Sequence, residues 1–123
     1  MNRVRRHVLR LAIVAPFVLV ACGPASVLFT FENRTDSALC EYESSEAAMS
    51  EMCLAEVDPL SETKWGRDCD GEKGRKIGVV IVVKATGEEI YNRTASCGEW
   101  DDSNRTFVIE QQNGEFVVTG PGP

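Results

Sequence analysis

The chain is nearly without histidine. Its single copy, His7, stands in an N-terminal stretch that reads as a removable export signal. A mature chain with no imidazole has no Ser-His-Asp triad, no His-activated thiol and no histidine metal site. A phosphate-cradling loop is missing too, since Gly71 and Gly74 are followed by no helical pattern. No Cys-x-x-Cys pair occurs, which leaves little basis for a thiolate zinc centre. Nor does any apolar run reach the ~20 residues that a bilayer-crossing helix needs. Basic residues are scarce once the opening is set aside. Four of the thirteen, Arg3, Arg5, Arg6 and Arg10, fall there, and none of the nineteen acidic residues does. Residues 22–123 therefore carry nine basic against nineteen acidic residues, a net charge of −10. With no basic stripe, nucleic acid is excluded as an expected partner.

What is present begins with that opening. A basic head is followed by an apolar run from Leu11 to Ala21, interrupted by Pro16 and closed by a small residue and a cysteine. The layout is that of a secretory signal over residues 1–21. Its last four residues, Leu19-Val20-Ala21-Cys22, resemble the lipobox of bacterial lipoproteins. That resemblance implies cleavage before Cys22 and lipidation of its thiol with palmitate-like chains. At ~0.8 kcal/mol per buried methylene, two or three chains make a durable anchor. The implied location is the extracytoplasmic side of a cell membrane or outer membrane, with residues 22–26 as a short tether. The rest of the chain is similar to small envelope lipoproteins of no assigned activity.

Cys40, Cys53, Cys69 and Cys97 remain once Cys22 is assigned to the anchor. An even number of cysteines in an exported domain of about 100 residues points to two disulfides. Three connectivities are open to four cysteines. Cys40–Cys53 with Cys69–Cys97 is favoured, because sequential pairing staples one local insertion and one hairpin-sized segment.

Alternation of Val27, Phe29 and Phe31 against polar neighbours predicts an opening strand, and Asn33 to Asp36 a turn. Ala38, Cys40 and Tyr42 share a face of a second strand. Ser44 to Cys53 breaks the pattern, and Met49, Met52 and Cys53 at i, i+3 and i+4 predict a short helical insertion with its methionines in the core. Leu60 to Trp65 is expected to run extended, and Arg67 to Lys76 to form an exposed loop. Ile77 to Val83 is apolar and mostly β-branched, which predicts a central strand covered on both faces. Glu88 to Arg93 is expected to pair with it, and Cys97 to Asn104 to form a loop. Phe107 and Ile109, the Asn113-Gly114 turn, then Phe116 and Val118 predict a closing hairpin. The expected fold is mainly β: a small antiparallel two-sheet sandwich over residues 27–119, Ig-like in outline. Residues 120–123 are expected to fray.

Chemistry is thin. Trp65 and Trp100 are the candidate binding patch, provided both are exposed on one face. Asp101 and Asp102 beside Trp100, and Glu88 with Glu89, are the only adjacent carboxylate pairs considered for glycan hydrolysis, which needs two acids ~5–10 Å apart across a cleft. Asp68 to Glu72 has an acidic calcium-loop flavour, but its glycine comes too early and later ligands are missing. Asn-Arg-Thr at 33, 92 and 104 has the form of a glycosylation acceptor, with turn formation as the plainer reading. The expectation is a membrane-anchored, non-enzymatic binding module with no cofactor and no metal, whose partner is an envelope protein or glycan. The alternatives are a structural coat lipoprotein and a small carboxylate hydrolase.

Overall fold

A computed structural model describes residues 23–121. The signal segment 1–21, its His7, the lipidation candidate Cys22 and residues 122–123 lie outside the described residues. Two four-stranded sheets face each other. Strands β1 (Ser26–Asn33), β4 (Ser61–Asp68), β7 (Thr106–Gln112) and β8 (Glu115–Thr119) form one, in the order β4-β1-β7-β8. Strands β2 (Leu39–Tyr42), β3 (Ala55–Val57), β5 (Lys76–Val83) and β6 (Glu89–Ser96) form the other, in the order β3-β2-β5-β6. Two short helices complete the elements, α1 (Ser45–Ser50) and α2 (Cys97–Asp101).

The sandwich is mainly β as expected, but its first sheet is mixed. β1 pairs antiparallel with β4 and parallel with β7. That parallel pair brings together strands near the two ends of the described chain. β5 lies between β2 and β6 and is buried at every residue after Lys76. Its two faces have different covers. Ile77, Val79, Ile81 and Val83 belong to the core between the sheets. Gly78, Val80 and Val82 point the other way, and α1 contacts β5 on that side. Backbone passes so closely there that a Cβ on Gly78 would lie 2.1 Å from the Glu43 carbonyl oxygen.

Aromatic rings knit the core. Phe31 and Phe107 stack at 5.2 Å, while Phe29 meets the Trp100 ring edge-on at 5.1 Å. Contacts of this kind add ~0.5–1.5 kcal/mol beyond the area they bury. Both expected disulfides are formed, Cys40–Cys53 with Cα atoms 5.4 Å apart and Cys69–Cys97 at 6.2 Å.

Several expectations need correction. The Cys97–Asn104 segment is not simply a loop: Ser96 caps α2 from its side chain, and Glu99 returns the bond to the Ser96 N–H. The Arg67–Lys76 loop is shorter, because Arg67 and Asp68 extend β4 and both Arg67 and Cys69 are buried. The 22–26 segment is no free tether over its described part, since β1 starts at Ser26 and Gly23 to Ala25 are hydrogen-bonded to the 69–71 loop. Residues 120–121 are not frayed: Gly120 lies against the Phe107 ring, and the Pro121 carbonyl accepts from Tyr91 Oη at 3.4 Å. Met49 and Met52 do not fill the core, being 88% and 90% exposed. The helix covers only Ser45–Ser50 of the expected 44–53 insertion, so Met52 and Cys53 follow it, and Ala47 and Ala48 are its only partly buried residues.

Candidate binding surface

Trp65 and Trp100 do not form a shared patch. Trp100 is fully buried beneath the core end of α2, and its indole N–H donates to the Ile77 carbonyl at 3.0 Å. The Arg93 guanidinium covers its outer face, 4.6 Å from the ring centroid. The capping box at Ser96 sets the helix start so that Trp100, three residues in, turns toward Phe29. Trp65 stands on the edge strand β4 and is 39% exposed. It shares a face with Arg67, the core-side face, while Leu28 projects from the opposite face of that sheet opposite Gly66.

The carboxylate pairs likewise serve local structure. Asp101 is held by Arg105 at 3.0 Å, and Glu89 accepts from Ser45 and from Asn92. Among the described residues no group of three or more His, Cys, Asp or Glu side chains is placed to hold a metal. Asp70 in the 68–72 segment is paired with Arg75, and Asp68 caps the Asp70 N–H, which holds its carboxyl below the usual range.

Two surface features emerge, one that sequence reasoning did not single out and one that it had assigned to the core. The first is a shallow cavity of about 310 Å³ at the end of the sandwich where β1 finishes and β4 begins, lined by Glu32, Asn33, Arg34, Leu60, Ser61 and Glu62. Its floor is organised by Asn33. The Asn33 amide donates to the carbonyls of Ser37 at 2.8 Å and Asp58 at 3.1 Å, and its oxygen accepts from the Thr35 N–H and hydroxyl. The first Asn-Arg-Thr thus ties two loops together, and in the third Asn104 caps the Thr106 N–H. Leu60 adopts a left-handed backbone conformation, φ 54°, and donates its N–H to the Thr35 carbonyl. This geometry leaves its side chain largely exposed. Arg34 lies between Glu32 at 3.0 Å and Glu110 at 3.7 Å, and the Glu32 hydrogen bond and charge raise its pKa.

The second feature is the arm from Ser44 to Cys53. Ser44 caps α1 by accepting from the Ala47 N–H, and the Cys40–Cys53 bridge returns the arm to β2. A helix this short does not hold by itself in water. The bridge and the packing of the half-buried Ala47 and Ala48 fix it, and Met49 and Met52 project to solvent. A short helix after Ser44 was legible in the sequence; the Met49, Met52 and Cys53 spacing read as one face of it was not realised, because the helix ends at Ser50.

Between the sheets lies a third polar element, hidden from solvent. Glu41 on β2 shares the inward face of its sheet with Leu39, and Arg67 reaches it from β4 at 2.9 Å. The same Arg67 nitrogen donates to the Gly78 carbonyl at 2.9 Å, and its partner nitrogen lies 3.5 Å from Glu43. Burial pushes the Glu41 carboxyl up to about 7, the Arg67 charge only partly offsetting it. The alternation of Ala38, Cys40 and Tyr42 leaves position 41 on the other face, where an acid reads as outward, and nothing local announces its partner 26 residues away.

No helix among the described residues is long and apolar enough to cross a membrane. Comparison with family models, curated proteins and solved structures returns no match to this chain.

Proposed function

We propose that this chain is a lipid-anchored extracytoplasmic binding module, held through Cys22 and without catalytic activity of its own. The observation that carries the binding half of this reading is the stapled arm. Met49, on the helix, and Met52, just past its end, are almost fully exposed on an arm whose position a disulfide fixes. Methionine is flexible and polarisable and adapts to irregular apolar partners. Holding the backbone while leaving such side chains free reduces the ordering cost of association. The fitting partner is an extracytoplasmic protein segment with an apolar face. The basic head, apolar core and terminal Leu-Val-Ala-Cys order support the anchor.

The test is affinity capture from a native envelope extract with the full acylated protein, run beside Met49→Ser/Met52→Ser. Capture of one protein at stoichiometric yield that drops at least about tenfold in the double variant supports the reading, since two buried methionines contribute at least ~1.4 kcal/mol. Equal capture by both forms removes the methionine arm from the proposal. Mass spectrometry of the purified protein without acyl chains on Cys22 overturns the anchor.

A further inference from the structure

We propose that the segment joining Cys22 to the sandwich is a fixed stem, so that the domain rests on the lipid surface in one orientation, with the Cys69–Cys97 end against the headgroups. This rests on the lipid-anchor reading above and goes beyond it. Three backbone hydrogen bonds sew the stem to the loop after β4: Gly23 N–H to the Gly71 carbonyl at 2.8 Å, Gly71 N–H to the Pro24 carbonyl at 3.1 Å, and Cys69 N–H to the Ala25 carbonyl at 2.9 Å. Together they continue the β1–β4 ladder, whose last register pair is Ser26 with Asp68, to the residue next to Cys22.

The fit at Gly23 is close. A Cβ there would lie 2.5 Å from the Gly71 carbonyl oxygen and 2.8 Å from the Lys73 amide nitrogen, both backbone atoms that cannot swing aside. The loop that receives the stem is itself fastened. Cys69 is bridged to Cys97, the Cys97 N–H donates to the Arg75 carbonyl, and the Gly98 N–H donates to the Lys73 carbonyl. Consecutive Cα atoms are ~3.8 Å apart, so acyl chains on Cys22 would leave the domain beside this loop. Lys73, Arg75 and Lys76 are exposed here, three of the nine basic residues in 22–123, with Arg75 paired to Asp70 and Lys76 4.0 Å from Glu99. The other end, with the Arg34–Leu60 cavity and the Asn113-Gly114 turn, then points away from the membrane. β1 alone separates the two ends by about 23 Å at ~3.3 Å per residue.

The experiment places the full acylated protein in phosphatidylethanolamine–phosphatidylglycerol bicelles carrying a gadolinium-chelating lipid. Relaxation of each backbone amide is then read by NMR. With an inverse-sixth-power distance dependence over ~23 Å, amides 71–75 should relax at least about tenfold faster than those of Arg34, Gly87 and Gly114. Inserting Gly-Ser-Gly-Ser-Gly-Ser between Cys22 and Gly23 should erase that gradient while co-flotation with lipid is unchanged. Flotation with no gradient overturns the fixed orientation and leaves the anchor standing. A gradient that survives the insertion overturns the stem as its cause. Failure of the wild type to float overturns the anchor, and this inference with it. Amide exchange separates the stem from the membrane: Gly23, Cys69 and Gly71 should be protected in the wild type and lose at least about tenfold protection in Gly23→Ala.

Discussion

Replacing Glu41 by glutamine should stabilise this protein at alkaline pH and leave it unchanged in acid. Glu41 is 1% exposed, and one of its oxygens has no hydrogen-bond partner. Its other oxygen accepts from Arg67 at 2.9 Å. The charged groups facing it are Arg67 from β4 and Glu43 just beyond β2, one attractive and one repulsive. Burial dominates, and the carboxyl moves from 4.5 up to about 7. A folded state that holds this proton more tightly than the unfolded chain is at its most stable, as far as this group is concerned, below about pH 4.5. Stability then falls as pH rises through 7 and levels off above it. At ~1.4 kcal/mol per pKa unit, the whole change is about 3 kcal/mol. Glutamine mimics the protonated acid in shape and still offers Arg67 a carbonyl oxygen, while Gly78 and Glu43 keep their contacts with the guanidinium. Glu41→Gln should therefore match the wild type near pH 4.5 and exceed it by up to about 3 kcal/mol at pH 8, on the order of 10–20 °C in Tm for a domain this size. Urea unfolding of both proteins from pH 4.5 to 8.5 measures it. The carboxyls of Asp68 and Glu99, held low by hydrogen bonds, act in the opposite sense and below this window, where stability is lost as pH falls. Wild-type stability that rises between pH 4.5 and 7.5 would refute the argument. So would a glutamine variant weaker than wild type at pH 8, which would mean that the Arg67 pair outweighs the burial of the charge.

Removing the Cys40–Cys53 pair as a double alanine variant should cost about 3 kcal/mol from its 13-residue separation, and removing Cys69–Cys97 slightly more from its separation of 28. Denaturant titrations of the two variants give the order, and the first should also raise protease cleavage within residues 44–53. Asn33→Ala should destabilise by about 2–3 kcal/mol, because it strands the buried Thr35 N–H and removes the amide that ties the Ser37 and Asp58 carbonyls together. Thermal melts of this variant at neutral pH check the figure, and a loss under ~0.5 kcal/mol would show that water replaces those bonds.

The strands and the bridges were the legible part of this chain. Phe29, Phe31, Phe107 and Ile109 alternate because each strand of a half-buried sheet must send every second side chain inward, and all four are fully buried. Ile77 to Val83 dispenses with alternation because β5 is covered on both faces, and that too could be read from the residues. Sequential spacing pointed to the two disulfides that are formed. Tertiary structure decided the rest, since each remaining feature depends on segments distant in sequence. The parallel pairing of β1 with β7 unites strands about 76 residues apart, a relation with no local signature. Trp100 and Met49 illustrate the same limit from opposite sides. Both sit on very short helices, where periodicity has too few turns to mark a buried face. What lay across from each helix buried the tryptophan and left the methionine in water. Glu41 went unnoticed because a lone acid in an alternating strand resembles any outward residue until Arg67 arrives from the other sheet. Local patterning thus set the elements and their inward faces, whereas the surfaces that meet a partner came from how those elements were brought together.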